Sequence, residues 1–263
     1  MNIARLALAA IGPALVCLHV IYAADRHARE PLHNVVRYVL LGVGAAALAG
    51  FIELEVWAWL GLTACATWGP VMFVITVFLF IAFLEELCKY GLLRAGARND
   101  AAIDEPFDWV VYAVAIALGF AAAENLYHVF CGRNGMQIAA LRALTAVPAH
   151  AMNGTLMGDR LARAALATGA ESRRQRRLAI IEPTIWHGVF DSCAIGARQL
   201  DATRPSLAIL LAVVLVLSIL AQWVVAARRV LLHYRRSPMC LLPPILYPIA
   251  RRVRAAPHAR SRR

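Results

Sequence analysis

Two adjacent glutamates and a lysine, Glu85, Glu86 and Lys89, lie in the stretch PVMFVITVFLFIAFLEELCKYGLLR (residues 70–94), where Thr76 is the only polar side chain ahead of them. A charged group at mid-depth of a bilayer costs at least about 2.5–3.5 kcal/mol, so it persists where it has a partner or a task. In a helix Glu85 and Lys89 are one turn apart, and Glu86 and Lys89 nearly so. Lys89 is the chain's only lysine; the other fixed positive charges are arginines. Three more apolar stretches are interrupted in the same way. Glu124 and Asn125 fall in LGFAAAENLYHVF, with His128 one turn on; His150 and Asn153 fall in AVPAHAMNGTLMG; His187 and Asp191 fall one turn apart in IEPTIWHGVFDSCAIG.

Carboxylates and imidazoles on four apolar helices must turn inward, because lipid offers them no hydrogen bonds. Together they would make a buried, hydrated cluster. Imidazole and carboxylate ligands suit zinc, whose catalytic sites leave one position for water. A spare glutamate, Glu85 or Glu86, would serve as general base, and Asp191 could take the second N–H of His187 and fix its tautomer. Carboxylates and histidines can also activate water without a metal, and the sequence leaves both versions open. Serine–histidine catalysis is disfavoured, since Ser192 alone stands near a histidine and on another helix face. Each group by itself has an ordinary explanation: an ion pair for Glu85, Glu86 and Lys89, a polar bridge for Glu124, packing for His150, a hydrogen-bonded pair for His187 and Asp191. It is the set that points to a site. His19 reads as packing, Glu182 as a carboxylate at a helix end, and His128 as a group near the outer surface.

The elements that must position these residues are membrane helices. With 61 % hydrophobic and 16 % charged residues and a mean hydropathy of +0.62, the chain is an all-α, polytopic transmembrane bundle, each apolar segment near the ~20 residues a span needs. Spans are expected at about 4–23, 36–53, 70–94, 108–131, 138–162, 178–199 and 207–227. They form a single membrane domain over 1–227, with a catalytic core at about 70–199 and a basic Pro/Arg-rich cytoplasmic tail over 228–263. Trp57–Gly69 is too short to cross and reads as interfacial or re-entrant. Counting it as an eighth span would place Arg26 and Arg29 outside, against the rule that inner loops carry the arginines. Seven spans put most arginines inside, including the expected loop Glu171–Arg177. The net charge of +11 thus serves orientation and contact with anionic lipids at the inner face, with no nucleic acid as partner. The six scattered cysteines form neither a disulfide framework nor a CxxC metal site.

EELCK, GFAAAEN and HGVFD, in this order with His150 between the last two, resemble the EExxK, GFAxxEN and HxxxD motifs of the PrsW family of intramembrane proteases, related to the CAAX prenyl endopeptidase-like (CPBP) group. The resemblance covers about Phe83 to Asp191. It implies a metalloprotease of the bacterial cytoplasmic membrane that cuts a membrane-associated protein such as an anti-sigma factor. Glu85, Glu86, Lys89 and Asp191 would be catalytic, and Glu124, His150 and His187 would hold a divalent metal, zinc by preference, or the water itself. Lys89 would balance charge or steady the developing oxyanion. The alternative from the residues alone is a transporter or proton-coupled channel using the same cluster as a relay, although no internal repeat supports it. Substrate identity and oligomeric state stay open. A ruler test adds a condition: at 1.5 Å per residue Glu85 and Glu124 lie about 22 and about 24 Å from opposite faces, so convergence requires tilt, a break near Gly91 or Gly119, or helix boundaries other than those expected.

Overall fold

The computed structural model describes residues 2–25, 29–60, 69–98, 100, 102–200 and 202–236. Among them there is no strand. The helices are α1 (Ile3–Ala24), α2 (Leu32–Leu60), α3 (Pro70–Thr76), α4 (Phe83–Ala97), α5 (Pro106–Cys131), α6 (Gly135–Leu144), α7 (Ala146–Leu166), α8 (Gly169–Leu200) and α9 (Pro205–Arg236), with a π-helical segment, Val77–Ala82, joining α3 to α4 without a break. Five stretches are long and apolar enough to cross a membrane: α1, Leu32–Val56 of α2, Pro70–Ala97, α5, and Pro205–His233 of α9. The other two expected spans correspond to α6–α7 and α8. Their polar residues keep them below that threshold, and these are the helices that carry His150, Asp159, His187 and Asp191.

Helix α5 is the axis of the bundle. It starts at Pro106, whose missing N–H is no loss in a first turn, behind a reciprocal cap in which Asp108 Oδ2 accepts the Glu105 N–H at 2.7 Å. Its first two-thirds, Phe107–Ala121, are buried. Neighbours reach its backbone where side chains are absent. A Cβ on Gly119 of α5 would fall 2.0 Å from the Val39 carbonyl oxygen, and one on Gly42 of α2 would fall 2.1 Å from that of Ile116. Gly154 and Gly158, the spaced pair of α7, stand equally close to Ala113, Val110 and Trp109. This is the small-residue packing expected between membrane helices, where direct backbone approach replaces the hydrophobic drive. It locks α2 and α7 to two different faces of α5.

Four expectations need correction. The span expected over 138–162 is two helices broken at Thr145. Pro148 cannot donate to the carbonyl of Leu144, and its ring collides with a helix continued through that residue. The expected loop Glu171–Arg177 is helical; α8 begins at Gly169, whose φ of +57° is a conformation that glycine adopts without penalty. Glu182 therefore lies inside a helix and is paired with Arg160 and Arg229. Neither Gly91 nor Gly119 breaks its helix; the irregularity is the π-helical segment, one turn ahead of Glu85. Helix α2 runs on through Leu60 and α9 through Arg236, so residues 228–236 of the expected tail are helix. The rest of Trp57–Gly69, residues 61–68, and of the tail, 237–263, lie outside the described residues.

Candidate active site

The π-helical segment packs on α8, with Phe78 ring atoms 2.6 Å from where a Gly188 Cβ would stand. A π turn adds a residue to the local count and so re-aims the helix that follows it. One turn further on, α4 presents Glu85, Glu86 and Lys89 inward, with relative exposures of 7, 0 and 1 %. The Lys89 ammonium is enclosed. It lies 2.8 Å from Glu86 Oε1, 3.3 Å from Glu85 Oε2 and 3.3 Å from His150 Nδ1, and 3.9 Å above the Phe120 ring centroid.

His187, one residue before Gly188 on α8, sits on the other side of the two glutamates. Its Nδ1 is 2.9 Å from Glu86 Oε1, while Nε2 is 3.2 Å from Asp191 Oδ2 and 3.7 Å from Glu85 Oε2. The His150 ring lies edge-on to it, 5.2 Å between centroids, and its Nε2 is 2.9 Å from Glu124 Oε2. The convergence that the ruler test put in question thus runs through one imidazole: His150 of α7 has Lys89 of α4 at one ring nitrogen and Glu124 of α5 at the other. All seven expected residues come together. Within the set, Glu85, His150 and His187 can each offer one ligand atom within 4.8 Å of the others, and all three are buried. Glu124 stands one contact away, behind His150.

Two groups enter that the motifs did not single out, Arg142 and Gln222. Arg142 of α6 brings Nη2 to 2.8 Å from Glu124 Oε2 and donates from Nε to Asn125 Oδ1 at 2.5 Å. Asn125 in turn donates to the Ala10 carbonyl at 3.0 Å, tying the motif to α1. Gln222 of α9 donates to Asn153 Oδ1 at 2.5 Å. His128 reaches Glu124 at 3.2 Å but is the most exposed of the cluster's histidines, its side chain 44 % accessible. A cavity of about 20 Å³ opens among Glu124, Arg142, His150, Asn153, His187, Asp191 and Gln222, walled by Trp186 and Phe190. That is room for a single water, with more than enough polar partners to hold it. Glu85, Glu86 and Lys89 do not line it.

A buried set of carboxylates and imidazoles around a water-sized void can bind a cation, activate the water, or pass a proton. Comparison with known proteins narrows this. Residues 30–221 match the family described as PrsW family intramembrane metalloprotease, a stretch that contains all seven expected site residues and Arg142 and ends one residue short of Gln222. The chain is 32 % identical over 183 residues to Protease PrsW of Bacillus subtilis (strain 168), covering 70 % of this chain and 79 % of that protein. It is 32 % identical over 183 residues to Protease PrsW of Geobacillus kaustophilus (strain HTA426), covering 70 % and 76 %. Against Protease PrsW of Clostridioides difficile (strain 630) the identity is 30 % over 187 residues, again 70 % and 76 %. No solved structure matches the chain.

Proposed function

The chain belongs to the PrsW family of intramembrane metalloproteases, and we propose that it hydrolyses a peptide bond of a membrane-associated protein at the Glu85–His150–His187 cluster. The observation that carries this reading is the meeting of those three buried side chains, two of which, His150 and His187, also line a cavity that admits one water. The donor set fits a divalent metal. Two imidazoles and a carboxylate are the set that zinc takes in hydrolases, with the fourth position left for water. With the histidines neutral, the carboxylates of Glu85, Glu86, Glu124 and Asp191 against the charges of Lys89 and Arg142 leave two negative charges, which a dication balances. A zinc ion held there would polarise its water and bring its pKa from ~15.7 to ~7.

The protein's own groups divide the remaining work. Glu86 accepts from His187 Nδ1–H, fixing the ring so that Nε2 faces Glu85 and Asp191. Glu124 does the same for His150 from the other side. Asp191 lines the cavity and accepts the proton that the water gives up, then returns it to the amine nitrogen as the C–N bond breaks. In this assignment Glu85 takes the ligand part expected of Glu124, Asp191 takes the base part expected of Glu85 or Glu86, and Glu86 and Glu124 orient the two histidines. Lys89 holds the two glutamates apart. We place the enzyme in the bacterial cytoplasmic membrane with its C-terminus inside, on the strength of the arginine distribution, and take an anti-sigma-factor-like protein as substrate from the family resemblance.

The deciding experiment combines metal analysis of the detergent-purified protein with mass spectrometry of new N-termini in membranes of a bacterial host producing wild type, Glu85→Gln or His187→Ala. About one zinc per chain, lost with His187→Ala, and fragments that vanish in both variants are expected. Cleavage by a metal-free wild type would remove the zinc and leave the residue assignment. Fragments unchanged in both variants would overturn the reading.

A further inference from the structure

Peptide hydrolysis needs a donor for the oxygen that becomes negative when water adds to the carbonyl, and this argument rests on the peptidase reading above. Lys89 is badly placed for it: its ammonium is spent on Glu85 and Glu86 and does not face the cavity. Arg142 does face it. Its Nε–H is held by Asn125, which fixes the plane of the guanidinium. Its Nη2 is buried and lies 2.8 Å from Glu124 Oε2, which can take one of its two hydrogens; the other has no acceptor. A buried, unsatisfied N–H donor is costly unless something else takes its hydrogens. A void of about 20 Å³ admits a carbonyl oxygen or a water and excludes a side chain.

We propose that Arg142 is a catalytic residue, and that its second Nη2–H receives the carbonyl oxygen of the scissile peptide bond and stabilises the oxyanion. The water oxygen bonds to the carbonyl carbon, the C=O π pair moves onto the oxygen at Arg142, and the water's proton passes to Asp191. On collapse the pair returns to the carbonyl, the C–N bond breaks, and the proton goes to the amine nitrogen. Glu124 keeps the resting charge of Arg142 balanced while leaving one Nη2 hydrogen for the substrate oxygen. The competing role is a plain clamp, with Arg142 acting only to hold Glu124 behind His150.

The two are separated in the same host membranes, scored on the fragments that Glu85→Gln abolishes, with Arg142→Gln, Arg142→Lys, Glu124→Gln and the double variant Arg142→Gln/Glu124→Gln. Loss of one oxyanion donor lowers turnover by about 100- to 1,000-fold. Arg142→Gln is therefore expected to slow fragment formation by about 100-fold, multiplying with the effect of Glu124→Gln, while zinc content stays at the wild-type value and the unfolding temperature falls, because the shielded Glu124 loses a partner. Arg142→Lys keeps the charge beside Glu124, so it guards against misfolding; an ammonium cannot hold Asn125 and reach the oxygen together, and slowing of at least tenfold is expected. A double variant no slower than the worse single one, loss of metal in Arg142→Gln, or full activity in Arg142→Lys would each make Arg142 a clamp. Should Glu85→Gln abolish no fragment, the peptidase reading itself falls, and this inference with it.

Discussion

Glu85 and Glu86 are neighbours of the same chemistry in different settings. Glu86 is fully buried and held at 2.8 Å by Lys89 and 2.9 Å by His187. Glu85 has only the longer contacts, 3.3 Å to Lys89 and 3.7 Å to His187. Removing one partner of a buried ion pair costs about 3–5 kcal/mol, because the other charge is left unpaired. Glu86→Gln should therefore lower the unfolding temperature in detergent and cleavage together. Glu85→Gln should abolish cleavage and reduce bound zinc with a clearly smaller thermal shift, since Lys89 keeps its closer carboxylate. Thermal melts of both variants beside wild type check this; equal shifts would mean that the pair acts as one structural unit. The glutamates could be read from the sequence because charges in a span are conspicuous. Arg142 and Gln222 could not. An arginine near a helix end is ordinary among 27 basic residues, and a neutral amide in a long apolar helix costs too little to draw notice.

At the scale of elements, the site depends on how closely α5 and α7 approach, because Glu124 and His150 ride on different helices. A Cβ at Gly158 would lie 2.5 Å from Val110 Cα and 2.6 Å from the Trp109 oxygen, both backbone atoms that cannot rotate aside. Gly158→Ala should force the helices apart, destabilise by about 1–3 kcal/mol and reduce cleavage by pulling His150 from Glu124. Gly91→Ala is the control. It is on α4 close to the catalytic motif, but nothing lies within 4 Å of its Cβ position. It should leave cleavage unchanged and leave stability equal or raise it by up to ~1 kcal/mol through helix propensity. Parallel melts and cleavage assays decide; a harmless Gly158→Ala would refute the close-approach account. The all-helical architecture was visible in the sequence. The π-helical segment was not, because its hydrogen-bond register is set by the seat of Phe78 on Gly188, a contact between helices more than a hundred residues apart in the chain. The break at Thr145 was signalled by Pro148 but lost in an otherwise continuous apolar run.

Across the whole molecule, α9 is the least embedded span, with 11 % of its apolar window buried, yet it closes the site through Gln222. Two polar ties hold it to the bundle. One is Gln222 to Asn153 at the cavity. The other, nearly two turns along, is a network in which Arg229 bridges Asp159 of α7, at 2.8 Å, and Glu182 of α8, while His233 meets Asp159 at 2.9 Å. Asp159 also takes Arg163, and Glu182 also takes Arg160, so Arg229 is the residue that joins three helices. With the Asp159 side chain 2 % exposed and that of Arg229 15 %, the bridge is largely shielded from solvent screening. Arg229→Ala should cost toward the lower end of the ~3–5 kcal/mol of a broken buried pair, since Asp159 and Glu182 keep their other arginines. The loss should appear locally first: faster hydrogen exchange across 205–236, with α5 protection unchanged, and slower cleavage as the Gln222 wall of the cavity loosens. The neighbouring Arg228, exposed and without an ion pair among the described residues, supplies the comparison, and Arg228→Ala should stay within about 0.5 kcal/mol of wild type. If Arg229→Ala left α9 exchange and cleavage untouched, the apolar contacts of Ala226 with Ala149 and Met152 would be sufficient to seat the helix, and the polar network would serve something other than holding the site closed.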